Sequence, residues 1–145
     1  MNSNPTAKAP KWFTIFAVLA LLWNLLGVMA FGMQVSMSPE DMAALPDAER
    51  ALYASYPTWA LIAFACAVFG GALGSLLLLM KKNLAGPVLL LSLLGVLVQM
   101  GHSFFIAKSY EVYGPGALVM PIMVVVVAVY LVMLAGKAKK NGWTA

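Results

Sequence analysis

Four long apolar stretches dominate the pattern of hydrophobic and polar positions along the chain. They run over residues 12–35, 58–80, 85–107 and 117–136, and none of them contains Asp, Glu, Lys or Arg. Each is long enough to cross a hydrocarbon core of about 30 Å as a single α-helix. The pattern therefore predicts an all-α integral membrane protein, folded as a four-helix bundle.

The longest polar segment, residues 36–57, lies between the first two apolar stretches. It contains Ser38-Pro39-Glu40-Asp41, a sequence typical of a helix start, because serine caps the first turn and the acids lie near the positive end of the helix dipole. A second start signal follows at Pro46-Asp47. We therefore predict two short amphipathic helices in this loop.

The two ends of the chain differ in composition from its centre. Residues 1–11 are polar and contain two prolines, which predicts a disordered N-terminal segment, and residues 137–145 read as a basic tail. The remaining residues, 12–136, form one domain of four transmembrane helices.

The charges are distributed unequally between the two sides of this predicted bundle. Loops on the side of the chain termini carry seven lysines: Lys8, Lys11, Lys81, Lys82, Lys137, Lys139 and Lys140. The opposite side carries all five acidic residues and only Arg50 and Lys108 as basic ones. Because basic loops stay in the cytoplasm, we expect both termini to be cytoplasmic and the 36–57 loop to lie on the opposite side of the membrane.

Composition agrees with a membrane protein and narrows the possible partners. The chain has 145 residues, of which 63% are hydrophobic and 10% charged. The net charge of +4 arises from the lysine-rich side, so we expect the lipid bilayer as the main partner and no nucleic acid.

Four polar side chains interrupt the apolar stretches and are the candidate binding residues. Asn24 and Gln34 lie in the first stretch, and Gln99 and His102 in the third. Gln34, Gln99 and His102 fall at similar depth near the acidic side, with Asn24 closer to the bilayer centre. Because lipid offers no hydrogen bonds, these groups either bond neighbouring helices or contact a polar solute. Both interpretations stay open.

Small residues recur at helical spacing in the second stretch. Ala67, Gly71 and Ser75 follow one another at every fourth position, and Gly70 and Gly74 form a GxxxG motif beside them. Small residues at this spacing let helix backbones approach closely in a membrane. They indicate packing inside the bundle or, alternatively, contact with a second copy or another membrane protein.

The residues required for enzymatic or metal chemistry are missing from the apolar stretches. Cys66 is the only cysteine and His102 the only histidine, and no acid lies near them in a stretch to complete a zinc site. Ser103 follows His102 directly, so the two side chains point about 100° apart on a helix and do not form a nucleophile–base pair. We expect no enzyme, no metal and no cofactor.

Three segments resemble a group of small bacterial inner-membrane proteins with four helices, mostly uncharacterised, some of which are labelled sugar transporters. They are WNLLGVMAFGMQ (23–34), SPEDMAALPDAERALYASYPTW (38–59) and the GxxxG-containing second stretch. The resemblance covers nearly the whole chain after residue 11. It implies a bacterial inner-membrane protein of the same topology, with the 36–57 loop periplasmic, and a transport function.

Two functional hypotheses follow from the sequence. The first is a small polar-solute (sugar-type) transporter acting as an oligomer, with Asn24, Gln34, Gln99 and His102 as its polar contacts. The alternative is a non-enzymatic accessory or assembly protein that binds a membrane partner through its acidic loop or its small-residue helix face.

Overall fold

The computed structural model describes residues 8–145 and contains only helices and connecting turns in that range. Most of the segment expected to be disordered, residues 1–7, lies outside the described residues. The α-helices are α1 Lys11–Val35, α2 Pro39–Ala44, α3 Asp47–Ala54, α4 Thr58–Leu79, α5 Ala85–Gly101, α6 Ser109–Tyr113 and α7 Val119–Lys140. A π-helical turn, His102–Ile106, extends α5, and a 3-10 turn, Pro115–Leu118, precedes α7.

Four of these elements are long and apolar enough to cross a membrane, which confirms that prediction. They are Lys11–Val35, Thr58–Leu79, Ala85–Ile106 and Pro115–Lys140. Large apolar side chains cover their outer surface, and Met33 and Met133, for example, are each 67% exposed. Since a continuous apolar surface of this size is unfavourable in water, it fits a multi-pass protein surrounded by lipid.

Two helix ends differ from the sequence prediction. The fourth span continues through Lys140 instead of ending at residue 136, so four residues of the expected basic tail are helical. The third span changes from α to π geometry at His102, where the Ala107 N–H donates to the His102 carbonyl at 2.8 Å. Apolar periodicity alone does not reveal such a wider turn.

The polar segment forms both short helices. The Asp41 N–H donates to Ser38 Oγ at 3.1 Å, so Ser38 caps α2 as predicted. Arg50 of α3 donates to three carbonyls at the end of α2, including that of Leu45 at 2.9 Å, and its guanidinium lies 3.2 Å from Asp47. The only arginine of the chain therefore joins the two short helices to each other.

Helix α4 lies at the centre of the bundle, with α1 on one side and α5 on the other, and α7 packs against α5. We call the end formed by residues 8–12, 80–85 and 137–145 the lysine end, and the end formed by α2, α3 and α6 the acidic end. A buried apolar cluster from all four spans fills the bundle near the lysine end. Its members are Phe13, Ala17, Ala20, Leu78, Ala85, Leu89, Leu131, Leu134, Ala135 and Ala138.

The small residues of α4 are in contact with α1 and α5. A Cβ atom at Gly71 would overlap Asn24 Oδ1 of α1, and one at Gly74 would lie 2.5 Å from Leu89 of α5. Ala67 accepts a hydrogen bond from Ser92 of α5, and Ser75 one from Asn24. These small residues of α4 therefore pack against α1 and α5 inside the bundle, which is the packing interpretation.

Residues 143–145 close the lysine end. The Asn83 N–H donates to the Ala145 carbonyl at 2.8 Å, and the Ala145 N–H donates to the Lys81 carbonyl at 3.0 Å. Thr144 Oγ1 and Asn83 Oδ1 lie 2.6 Å apart, and the Trp143 ring lies against Trp12 at 5.5 Å between ring centres. This segment ties the α4–α5 turn to the start of α1.

The close contact between α4 and α5 gives a direct test of the fold. A Cβ at Gly95 would lie 2.8 Å from the Ala63 carbonyl oxygen and 2.9 Å from the Ala67 nitrogen, both backbone atoms that cannot rotate away. We expect Gly95→Ala to lower the free energy of unfolding by about 1–3 kcal/mol, the usual cost of overpacking, in SDS unfolding followed by circular dichroism. The control is Gly136→Ala, where an added Cβ meets nothing within 4 Å; equal stability of the two variants contradicts the packing.

Candidate functional site

Two cavities lie between the buried apolar cluster and the acidic end. The deep cavity, about 330 Å³, is lined by residues of α1, α4, α5 and α7. The entrance cavity, about 260 Å³, lies beneath the acidic end and is lined by residues of α1, α3, the start of α7 and the segment from Gln99 to Tyr113. Gln99 and Met100 line both cavities.

The entrance cavity combines aromatic rings with uncharged polar groups. The polar and aromatic residues that line it are Gln34, Tyr53, Tyr56, Gln99, Ser103, Phe104, Ser109, Tyr110 and Tyr113. They come from five parts of the chain, so only the folded bundle brings them together. No charged side chain is among its lining residues.

Tyr56, Gln34 and Gln99 form the polar centre of this cavity. Burial raises the pKa of the Tyr56 hydroxyl, and the nearby amides of Gln99 and Gln34 act in the opposite direction. Neither amide has the geometry of a hydrogen bond to Tyr56, whose hydroxyl oxygen is buried without a partner among the described residues. Three uncharged polar groups thus lie close together, and each amide offers two N–H donors and an acceptor oxygen.

His102 lies behind this group and not in either cavity. Its side chain is 4% exposed, and its ring meets Tyr56 and Trp59 edge-on at 5.1 and 5.3 Å between ring centres. His102 Nδ1 is buried without a hydrogen-bond partner among the described residues. His102 therefore packs against the Tyr56 and Trp59 rings and lines neither cavity.

Asn24 of α1 and Gln99 of α5 both line the deep cavity. Its Nδ2 donates to the Ala20 carbonyl at 2.9 Å and to Ser75 Oγ at 3.3 Å. Ser92 lines the same cavity, and its hydroxyl donates to the Ala67 carbonyl at 2.6 Å. Both side chains therefore form interhelical hydrogen bonds, and Gln99 is the other amide that lines the deep cavity.

The four predicted site residues are thus only partly brought together. Gln34 and Gln99 share the entrance cavity, and Asn24 and Gln99 share the deep one, while His102 lines neither. The sequence analysis missed Tyr56, which lies just before α4 in Tyr56-Pro57-Thr58-Trp59, a pattern typical of aromatic residues at a membrane interface. Nothing in that pattern shows that its hydroxyl turns toward two glutamines.

Tyr113 lines the entrance cavity and lies near an acidic residue, Glu49. Its partial burial raises the pKa of the phenol, and the Glu49 carboxylate and Tyr53 act in the same direction. Tyr113 therefore stays protonated and neutral at physiological pH, like the rest of the cavity lining.

The chain matches no family model, and no curated protein or solved structure is significantly similar to it. The two cavities are therefore the basis for a functional proposal.

Because the Tyr56 hydroxyl has no hydrogen-bond partner among residues 8–145, its removal should not lower the stability of the fold. We expect Tyr56→Phe to leave the free energy of unfolding unchanged or to raise it, because no protein hydrogen bond is lost. Ser92→Ala is the control, and it should cost about 0.5–1.5 kcal/mol, since its hydroxyl donates to Ala67. If SDS unfolding shows the same loss for both variants, the Tyr56 hydroxyl is hydrogen-bonded in the folded protein.

Proposed function

We propose that this protein is a carrier for small uncharged polar solutes of the sugar type in the bacterial inner membrane. The observation that supports this function is the entrance cavity, where the amides of Gln34 and Gln99 lie close to the buried Tyr56 hydroxyl and line the same space. Polar groups inside a membrane protein are costly and often mark a solute pathway.

The chemistry of the lining favours a neutral, hydroxyl-bearing solute. Amides and hydroxyls both donate and accept hydrogen bonds, so they match sugar hydroxyl groups, and tyrosine rings offer apolar faces to the C–H side of a sugar. An ion would enter the cavity without a countercharge, because no charged side chain lines it.

The position of the cavities corresponds to a carrier accessible from one side. The entrance cavity lies at the acidic end, and the buried apolar cluster fills the bundle toward the lysine end. Transport requires this cluster to separate while the acidic end closes. We expect the carrier to act as an oligomer, because four helices of this length enclose little space for a translocation path.

The accessory-protein alternative has less support. It relied on the small-residue face of α4 or on the acidic loop for binding a partner. Gly71 and Gly74 lie against Asn24 and Leu89, so the small-residue face is covered by α1 and α5. Of the two surfaces named for this alternative, only the acidic end would then be available for partner binding.

Uptake by reconstituted protein tests the carrier proposal. Proteoliposomes should take up at least one member of a radiolabelled panel (D-glucose, methyl β-D-glucoside and octyl β-D-glucoside) in a saturable manner above protein-free vesicles. Changing Gln34 and Gln99 to Leu should abolish this uptake, because the solute loses its amide partners. Ser36→Ala is the control, since Ser36 bonds only the Gly32 carbonyl of its own helix; unchanged uptake by the double variant would remove the site assignment.

The orientation is a separate prediction. We propose that the lysine end faces the cytoplasm, since Lys81, Lys82, Lys137, Lys139 and Lys140 lie there. Alkaline phosphatase fused after residue 145 should be inactive, and phosphatase inserted between α2 and α3 should be active. The reverse activities would place the lysine end in the periplasm.

A further inference from the structure

The two cavities have opposite linings and meet at shared residues. Hydroxyl and amide groups line much of the entrance cavity, whereas side chains such as Trp23, Phe64 and Val124 make the deep cavity almost entirely apolar. Gln99 and Met100 belong to both linings. A molecule that passed between the two cavities at these residues would contact a polar region and an apolar region at once.

The deep cavity is poorly suited to a free sugar. Asn24 Nδ2 and the Ser92 hydroxyl already donate to groups of the protein. Gln99 is the third polar side chain of the lining besides them. A sugar that moved fully into this space would leave most of its hydroxyls without hydrogen-bond partners, which is unfavourable.

We propose that the site binds a neutral amphiphile: a hydroxyl-rich head in the entrance cavity and a single apolar tail that passes Met100 into the deep cavity. This inference rests on the proposed function, because the head occupies the same cavity as the solute proposed above. It adds a tail whose contacts in the deep cavity raise the affinity. Gln99, at the junction, would bond the head where the tail begins.

The sizes and charges of the cavities agree with this ligand class. Ligand pockets commonly measure about 300–1,000 Å³, and the entrance cavity, at about 260 Å³, falls below that range by itself. The deep cavity of about 330 Å³ more than doubles the space. Because no charged side chain lines either cavity, a neutral head fits better than a carboxylate or a phosphate.

Photolabelling of the full chain in phosphatidylcholine nanodiscs tests the inference. The probe is octyl β-D-glucoside with a diazirine at the end of its tail. We expect saturable labelling of α1 and α7 around the deep cavity, with label on Trp23 or Val124. Unlabelled octyl β-D-glucoside should compete, whereas D-glucose and octanol at the same concentration should compete much more weakly.

Two variants separate the head site from the tail site. Ala128 lines the deep cavity, so Ala128→Phe should fill the tail space and remove saturable labelling. Val126→Phe is its matched control, because Val126 is 60% exposed on the outer face of the same helix. Gln99→Leu should weaken competition by octyl β-D-glucoside about tenfold, which corresponds to one lost hydrogen bond.

The other outcomes overturn the inference in distinguishable ways. Equal competition by D-glucose means that the tail adds nothing, and the sugar-type carrier proposal then stands without it. Equal competition by octanol means that the deep cavity binds an apolar tail and that the hydroxyl-rich head is not recognised. Absence of saturable labelling, or equal effects of Ala128→Phe and Val126→Phe, also rejects the amphiphile, while uptake of methyl β-D-glucoside decides the carrier function independently.

Discussion

The close approach of α1 and α5 to α4 is the contact on which the rest of the structure depends. Lipid cannot satisfy polar groups, so Asn24 and Ser92 must bond within the protein, and they do so only because α4 presents small residues at those levels. Gly71 leaves room for Asn24, and the Ala67 carbonyl accepts from Ser92. Gly95 of α5 allows the α5 backbone to lie against Ala63 and Ala67 of α4.

The position of α4 determines where α7 packs and where space remains. With both sides of α4 occupied by α1 and α5, α7 packs mainly on α5. Near the lysine end its residues join the buried apolar cluster, and Tyr130 meets Phe16 of α1. Toward the acidic end, residues of α1 and α7 face each other across the deep cavity. The cavity is thus a consequence of packing three helices tightly and the fourth only at one end.

The polar groups of the bundle divide into two kinds by depth. Those near the centre, Asn24 and Ser92, bond α4, whereas Gln34, Gln99 and Tyr56 near the acidic end line the entrance cavity. The π-helical turn that begins at His102 ends the third span beside this second group. This separation of groups that join helices from groups that line a cavity is what favours a ligand site at one end of the bundle.

The sequence by itself determined the four spans, the two short helices after Ser38 and the use of small residues in α4, because hydropathy, capping and helical spacing are local properties. It also selected Gln34 and Gln99 by their polarity in an apolar context. Only the tertiary structure decided that His102 lies behind Tyr56, that Asn24 bonds Ser75, and that Gln99 joins two cavities. Those facts depend on which helices become neighbours and how each is rotated, and no local spacing encodes that.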